Sequence, residues 1–452
     1  MIKKQYLSKK NKAQNYLLIL FALFLPISPS ASSLIIGLLF LKFIFSPKKK
    51  NKFNNIKKNK VTFSIILFFS FIAVSSFWFK GNKEILDLNS SFIYELNKIW
   101  ILLLCPLLFL LEFDLQTKKY VKYAFITGLI INVFLSIIIY LYPYFMFLSK
   151  TGHYINDYYL HGFLDHSDLS IFFCFGTFLL LEELIKQKKI HFFLISALIL
   201  FVIFLFNSYG RTGIICFIIL LPFFLILKHS LNLRFFLTRL MPIVIIFILF
   251  FSFSKSLSNR ASSTIHEIHD LLYGVSLKEK INRHANYMST EKDTSGRSVD
   301  YWKKRIETDK NENGDLIWLS DIKKMKNENE TSLGKRLMLW NAYIQQIKEN
   351  KILGKGLGSI SNLKKTHIRI SENPHNYYLF VMTEFGIVGL LLLVNIFITM
   401  VGEYFKSKQQ NILQIIFPFI ILLSLFTNDY LFIYNILAFF GLFSYLLYTE
   451  KD

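Results

Sequence analysis

The sequence predicts an all-α polytopic membrane protein, with about 12 transmembrane helices and one large outer loop that contains an amphipathic helix. Three observations lead there. The first is clumping. Hydrophobic residues make up 53% of the chain, only modestly above the roughly 45–50% of a soluble domain, but they gather in runs. Stretches 61–79, 190–206 and 235–253 are nearly free of charge, and about 20 such residues cross a bilayer as a helix. The second is the placement of charge. Lys and Arg outnumber Asp and Glu by 52 to 30, and they lie mainly between the apolar runs, where they orient a membrane protein rather than bind nucleic acid. The third is one long polar interruption at 254–374. These features exclude a soluble enzyme, a disordered chain and a small disulfide scaffold.

Apolar runs at 14–28, 31–46, 61–79, 92–111, 123–148, 168–185, 190–207, 213–227, 235–253, 375–402, 411–427 and 430–448 read as the spans. Lysines at 3, 4, 9, 10 and 12 precede the first run as in a signal peptide, but no small-residue cleavage site follows, so it reads as a retained span. The first two runs are short and parted by Pro26 and Pro29, and form either two spans or one re-entrant hairpin. The 92–111 run carries Glu95, Asn97 and Lys98 in its first half, which either pair or push its start later. Cys105, Cys174 and Cys216 all lie inside apolar runs and offer no disulfide framework.

The short loops at 48–60, 118–122, 186–189, 228–234 and 406–408 are all basic, while the alternate loops carry little net charge. The positive-inside rule then places both termini in the cytoplasm. Three regions follow: an N-terminal bundle of about nine spans over 1–253, an outer loop over 254–374, and about three C-terminal spans over 375–452. A loop that long translocates whatever its charge. Its middle, 282–330, is rich in Lys, Glu, Asn and Asp and reads as mobile. Leu333, Leu337, Trp340, Ile344 and Ile347 then recur at helical spacing, which predicts an amphipathic helix over 332–348. Gly354, Gly356 and Gly358 follow as a flexible turn.

Four outward-facing places hold polar residues that a bilayer does not require. At 373–376, Asn373 suits an N-cap and Pro374 the first helical position, which puts His375 in the first turn. The positive end of the helix dipole disfavours imidazolium there and leaves His375 able to accept a proton. Gly386 and Gly389 permit close helix packing further along, and Glu384 between them and the helix start is costly unless partnered. At 208–213, Arg211 in a tight outer turn can present a forked pair of donors to a phosphate. Arg336 lies near the start of the amphipathic helix, one turn from Trp340. The loop at 153–168 holds His161, Asp165, His166 and Asp168, but its spacing matches no zinc pattern, and His266 with His269 is weaker still. Each has a bland alternative: a capping His with packing glycines, an interfacial anchor at Arg211, a solvated helix face at Arg336.

Taken in order, Gly210-Arg211-Thr212-Gly213, the run 336–340 followed by the glycines at 354–358, and the run 374–379 with Glu384, Gly386, Gly389 and Leu390 resemble the O-antigen ligase and polymerase superfamily. Residues 162–166 are similar to the loop that precedes a span in that superfamily. The motifs lie mainly in 160–215 and 333–395, and the insertion at 282–330 is longer than the usual loop.

The resemblance implies glycosyl transfer at the periplasmic face of the bacterial inner membrane. It implies a glycan donor linked to undecaprenyl diphosphate and an acceptor such as lipid A-core, and no metal or other cofactor. It assigns catalysis to His375, Arg211 and Arg336, and substrate contact to Asn376, Trp340, His166 and Glu384. A polymerase or protein O-oligosaccharyltransferase shares these motifs. A lipid-linked glycan transporter is the rival from another class, though it should carry a charged pathway near the midplane, and little beyond 95–98 and Glu384 lies there.

Overall fold

A computed structural model describes residues 12–45, 59–75, 108–110, 113–141, 162–186, 191–207, 210–229, 298–308, 332–357, 374–407, 410–428 and 430–449. Among these residues the regular structure is helical and no strand occurs. In chain order the helices are α1 (Lys12–Phe24), α2 (Pro29–Ile44), α3 (Lys60–Ser75), α4 (Leu115–Leu141), α5 (His166–Lys186), α6 (Phe192–Asn207) and α7 (Arg211–His229). There follow α8 (Val299–Thr308), α9 (Ser332–Glu349), α10 (Tyr377–Lys406), α11 (Leu413–Ser424), a 3-10 turn at Tyr430–Phe432, and α12 (Tyr434–Tyr448). Three segments among the described residues are long and apolar enough to cross a membrane: Gln116–Ile139, Arg211–Lys228 and Tyr377–Lys406. The other apolar helices are shorter. The runs at 92–111 and 235–253 lie outside the described residues, apart from 108–110.

The chain divides into two compact units, Met1–Leu237 with Gln346–Asp452, and Thr238–Gln345. In the second, Ser298 caps α8 by accepting from the Tyr301 amide at 3.3 Å. Most of α9 also belongs there. The expected amphipathic helix is present, but Leu339 and Tyr343 are its buried residues while Leu337 and Ile344 are exposed. An apolar count passes over that edge because it runs through a tyrosine, whose ring buries as readily as a leucine.

In the first unit the apolar runs become helices because lipid offers the backbone no hydrogen-bond partners. Packing is set by glycine and phenylalanine. A Cβ on Gly128 of α4 would lie 2.2 Å from the Leu23 carbonyl oxygen of α1, so the backbones touch there. Small residues of this kind permit close approach where hydrophobic drive is weak. Phe125, Phe175, Phe417, Phe439 and Phe443, from α4, α5, α11 and α12, interlock with ring centroids 4.6–6.1 Å apart. Such pairs add roughly 0.5–1.5 kcal/mol each beyond area burial.

Hydrogen bonds sort this unit into two ends. At one, Asn15 donates to Asp114 (2.7 Å), Asn59 to the Tyr448 carbonyl (2.8 Å), Lys118 to Thr449 (3.0 Å) and Gln414 to the Leu447 carbonyl (2.7 Å). Lys12, Lys60, Lys186, Lys228 and Lys406, at or near their helix termini, mark this basic end. At the other, Asn132 donates to the Pro26 carbonyl (2.7 Å), Tyr434 to Ser32 (3.1 Å) and Asn435 to Asp168 (2.9 Å). Arg211, His166 and the start of α10 belong to this second, polar end.

Candidate functional site

The start of α10 differs from the sequence expectation. Asn373 lies outside the described residues, and the cap is Asn376, whose side-chain oxygen accepts from the Tyr378 and Leu379 amides at 3.0 and 3.2 Å. His375 therefore precedes the helix instead of sitting in its first turn. Its backbone is left-handed, with φ 49°, a conformation that costs a non-glycine residue on the order of 1–3 kcal/mol and clusters at functional sites. The contact that fixes this turn is tertiary: the Tyr377 amide donates to the Leu425 carbonyl at 2.8 Å. Asn376 is buried and His375 is half-buried.

Further along, α10 is interrupted. Gly386 has φ 63° and ψ −164° inside the helix, backbone that only glycine adopts readily. The expectation that Gly386 serves helix packing is thus corrected: it breaks the helix. The groups released by the break pair with residues 351–356. Thr383 and Glu384 carbonyls accept from Lys355 and Gly356 amides at 3.0 and 2.8 Å, and Ile387 and Val388 amides donate to Lys351 and Ile352 carbonyls at 2.8 and 3.2 Å. Gly354 and Gly356, expected in a flexible turn, are instead held, Gly356 by its bond to Glu384 and Gly354 by donating to the Asn350 carbonyl at 3.1 Å, with φ 90° and 68°. Lys355 also donates from its side chain to Gln346 and to Glu349, the latter at 2.6 Å. Glu384, two residues before the break, is 2% exposed.

Arg211 is the first residue of α7, and its side chain is exposed. Its neighbours leave the backbone no slack. A Cβ on Gly210 would lie 2.5 Å from the His166 carbonyl oxygen, and one on Gly213 would lie 2.1 Å from that of Ser170. The Gly213 amide donates to Ser170 Oγ at 3.2 Å. The starts of α5 and α7 are thus flush, which brings His166 beside Arg211. Asp165 holds the α5 start by accepting from the Ser167 amide at 2.7 Å, and lies 3.7 Å from His166 Nδ1. On its other side, Thr212 pairs with Thr427 at 2.8 Å, two residues beyond the Leu425 carbonyl that receives Tyr377. Arg211, His166 and the His375–Asn376 turn therefore share one end of one unit.

Arg336 and Trp340 lie on α9 within the second unit, both half-buried. The histidines at 161, 266 and 269 lie outside the described residues. Among the described residues, no group of three His, Cys, Asp or Glu side chains is arranged to hold a metal ion.

What sequence inspection missed is the paired clasp at 351–356 and the hydroxyls of Thr212, Thr427 and Tyr430. The available signal was the set of glycines at 354, 356 and 386, each with positive φ.

A comparison with curated proteins gives no match. The family model described as O-antigen ligase matches residues 196–394. That stretch contains Arg211, Arg336, Trp340, His375, Asn376 and Glu384, as well as both halves of the clasp, whereas His166 falls before it. Its members are glycan-transferring membrane enzymes. Over residues 196–394 the chain is similar to the O-antigen ligase superfamily.

Proposed function

We propose that this protein is a periplasm-facing glycan ligase of the inner membrane, moving a glycan from undecaprenyl diphosphate to lipid A-core. The observation that supports it most is the shared polar end, where a permanent cation, Arg211, and a strained His375 beside a helix cap are held by tertiary bonds. In the proposed reaction the anomeric carbon–oxygen bond of the donor breaks, and the diphosphate leaves with the electron pair. As charge builds on the diphosphate, Arg211 and Arg336 stabilise it more than the ground state. The acceptor hydroxyl oxygen bonds to the anomeric carbon and gives its proton to an imidazole nitrogen of His375. Asn376, Trp340, His166 and Glu384 are the proposed substrate contacts.

The proposed topology has twelve spans, both termini in the cytoplasm, and 254–374 outside. Helix directions support it. α3 and α4 both start at the basic end, and α7 and α10 both start at the polar end. The proposed spans at 92–111 and 235–253 complete the count. Reporter fusions at Lys58 and Asn313 should report opposite sides of the membrane. Both on one side would overturn the topology.

Deleting the gene tests the reaction. Loss of polymer on lipid A-core with carrier-linked polymer intact is expected; a single capped repeat indicates a polymerase instead, and stranded carrier-linked glycan on the inner side indicates a transporter. Complementation with Arg211→Lys should restore little transfer, because an ammonium cannot replace the guanidinium fork. Full restoration by Arg211→Ala and Arg336→Ala, each alone, would exclude the diphosphate role.

A further inference from the structure

Beside Arg211 lies a group of hydroxyls that the proposed chemistry does not use. Thr212 Oγ1 is 2.8 Å from Thr427 Oγ1 and 3.3 Å from the Tyr430 hydroxyl. Thr427 Oγ1 donates to the Ser424 carbonyl at 2.8 Å. A hydroxyl has one proton to give, so Thr427 must accept from Thr212, and Thr212 from Tyr430. The result is one directed chain from Tyr430 through Thr212 and Thr427 to the Ser424 carbonyl. Thr212 is 7% exposed and Tyr430 1% exposed, while Thr427 is half-buried, so the chain is shielded from water at its Tyr430 end.

Its place in the fold matters more than its energy. Thr212 follows Arg211 in the first turn of α7. Thr427 belongs to the turn after α11, whose Leu425 carbonyl receives the amide at the start of α10, one residue after Asn376 and two after His375. Gly210 and Gly213 already pin the opposite side of the α7 start to α5. The first turn of α7 is therefore clamped between two partners, and the second partner also carries the His375 turn.

We propose that Thr212 is a positioning residue, which, through Thr427 and Tyr430, fixes the Arg211 guanidinium relative to the His375 turn so that both meet one diphosphate-linked donor. The inference rests on the diphosphate role of Arg211 proposed above. It makes the hydroxyl, not the bulk, of residue 212 the quantity that counts. Thr212→Val keeps the shape and removes the hydroxyl, Thr212→Ser keeps the hydroxyl, and Tyr430→Phe removes the donor to Thr212 together with its interactions with Thr427 and Ser167.

The test uses the full chain in lipid nanodiscs, with undecaprenyl diphosphate as the probe. Binding affinity and thermal midpoint are measured for these three variants and for Arg211→Ala. Thr212→Val should bind roughly tenfold more weakly and also lower the thermal midpoint, because a buried hydroxyl pair is lost from the free protein too, whereas Thr212→Ser should match the parent in both. If Thr212→Val fails to fold, weaker binding by Tyr430→Phe supports the proposal and unchanged binding overturns it. Parent-like binding by Thr212→Val overturns it while leaving the Arg211 reading intact, provided Arg211→Ala binds weakly. Parent-like binding by Arg211→Ala removes the reading on which it rests. Thr212→Ser as weak as Thr212→Val would assign the effect to packing and also overturn it.

Discussion

Replacing His375 by Ala should lower glycan transfer by about 10²–10⁴-fold, the usual contribution of a positioned general base, while leaving expression and carrier binding nearly intact. The structure gives two reasons to expect so selective a loss. His375 precedes the helix, and the cap is Asn376, which accepts from the Tyr378 and Leu379 amides. The left-handed backbone of His375 is held by the Tyr377–Leu425 bond, a main-chain contact that Ala keeps. His375→Gln separates the possible roles, because Gln can hydrogen-bond an acceptor hydroxyl but cannot take its proton. The measurement is initial transfer rate from a purified lipid-linked donor, compared at equal protein. Transfer at the parent rate by the Gln variant would reduce His375 to a positioning group and send the search for a base to Glu384 and His166.

The other large effect is expected at Gly386. In Gly386→Ala the new Cβ would stand 2.2 Å from the Ile352 carbonyl oxygen and 2.6 Å from the Gly354 amide nitrogen. The backbone conformation itself belongs to glycine, at a cost of roughly 1–3 kcal/mol for any other residue. Overpacking adds a similar amount. Together these should cost about 3 kcal/mol or more, which is upwards of 100-fold in the folded population. Low membrane abundance, a depressed thermal midpoint in detergent and loss of transfer are expected together. Gly402→Ala in the same helix is the control, because a Cβ there meets nothing within 4 Å. A Gly386→Ala protein as stable and active as the control would mean that the break is dispensable.

The difference between these two positions shows what a single sequence reveals. Apolar runs predicted the described apolar helices, three of them long enough to cross a membrane, because a run of uncharged residues in lipid has little alternative to the helix. Arg211 and His375 stood out as charged or titratable groups beside apolar runs. Gly386 did not stand out as a break. It sits in an apolar run together with Gly389, and its conformation is decided by Ile352 and Gly354, more than 30 positions upstream. The cap was misplaced for a similar reason. Asn373 and Asn376 both suit an N-cap, and the Leu425 carbonyl selects the second by holding the Tyr377 amide. Thr212, Thr427 and Tyr430 are ordinary residues in sequence, and only the fold gathers their hydroxyls across more than 200 positions.

The interruption in α10 also makes one part of the chain a condition for the other. Main-chain groups left open within hydrocarbon cost several kcal/mol each, and the break leaves four such groups dependent on residues 351–356. A newly made segment leaving the translocon has that partner tethered only by the intervening chain. Without that partner, only an uninterrupted helix would keep the four groups paired. The break and the clasp are therefore one cooperative unit: neither is stable in lipid without the other.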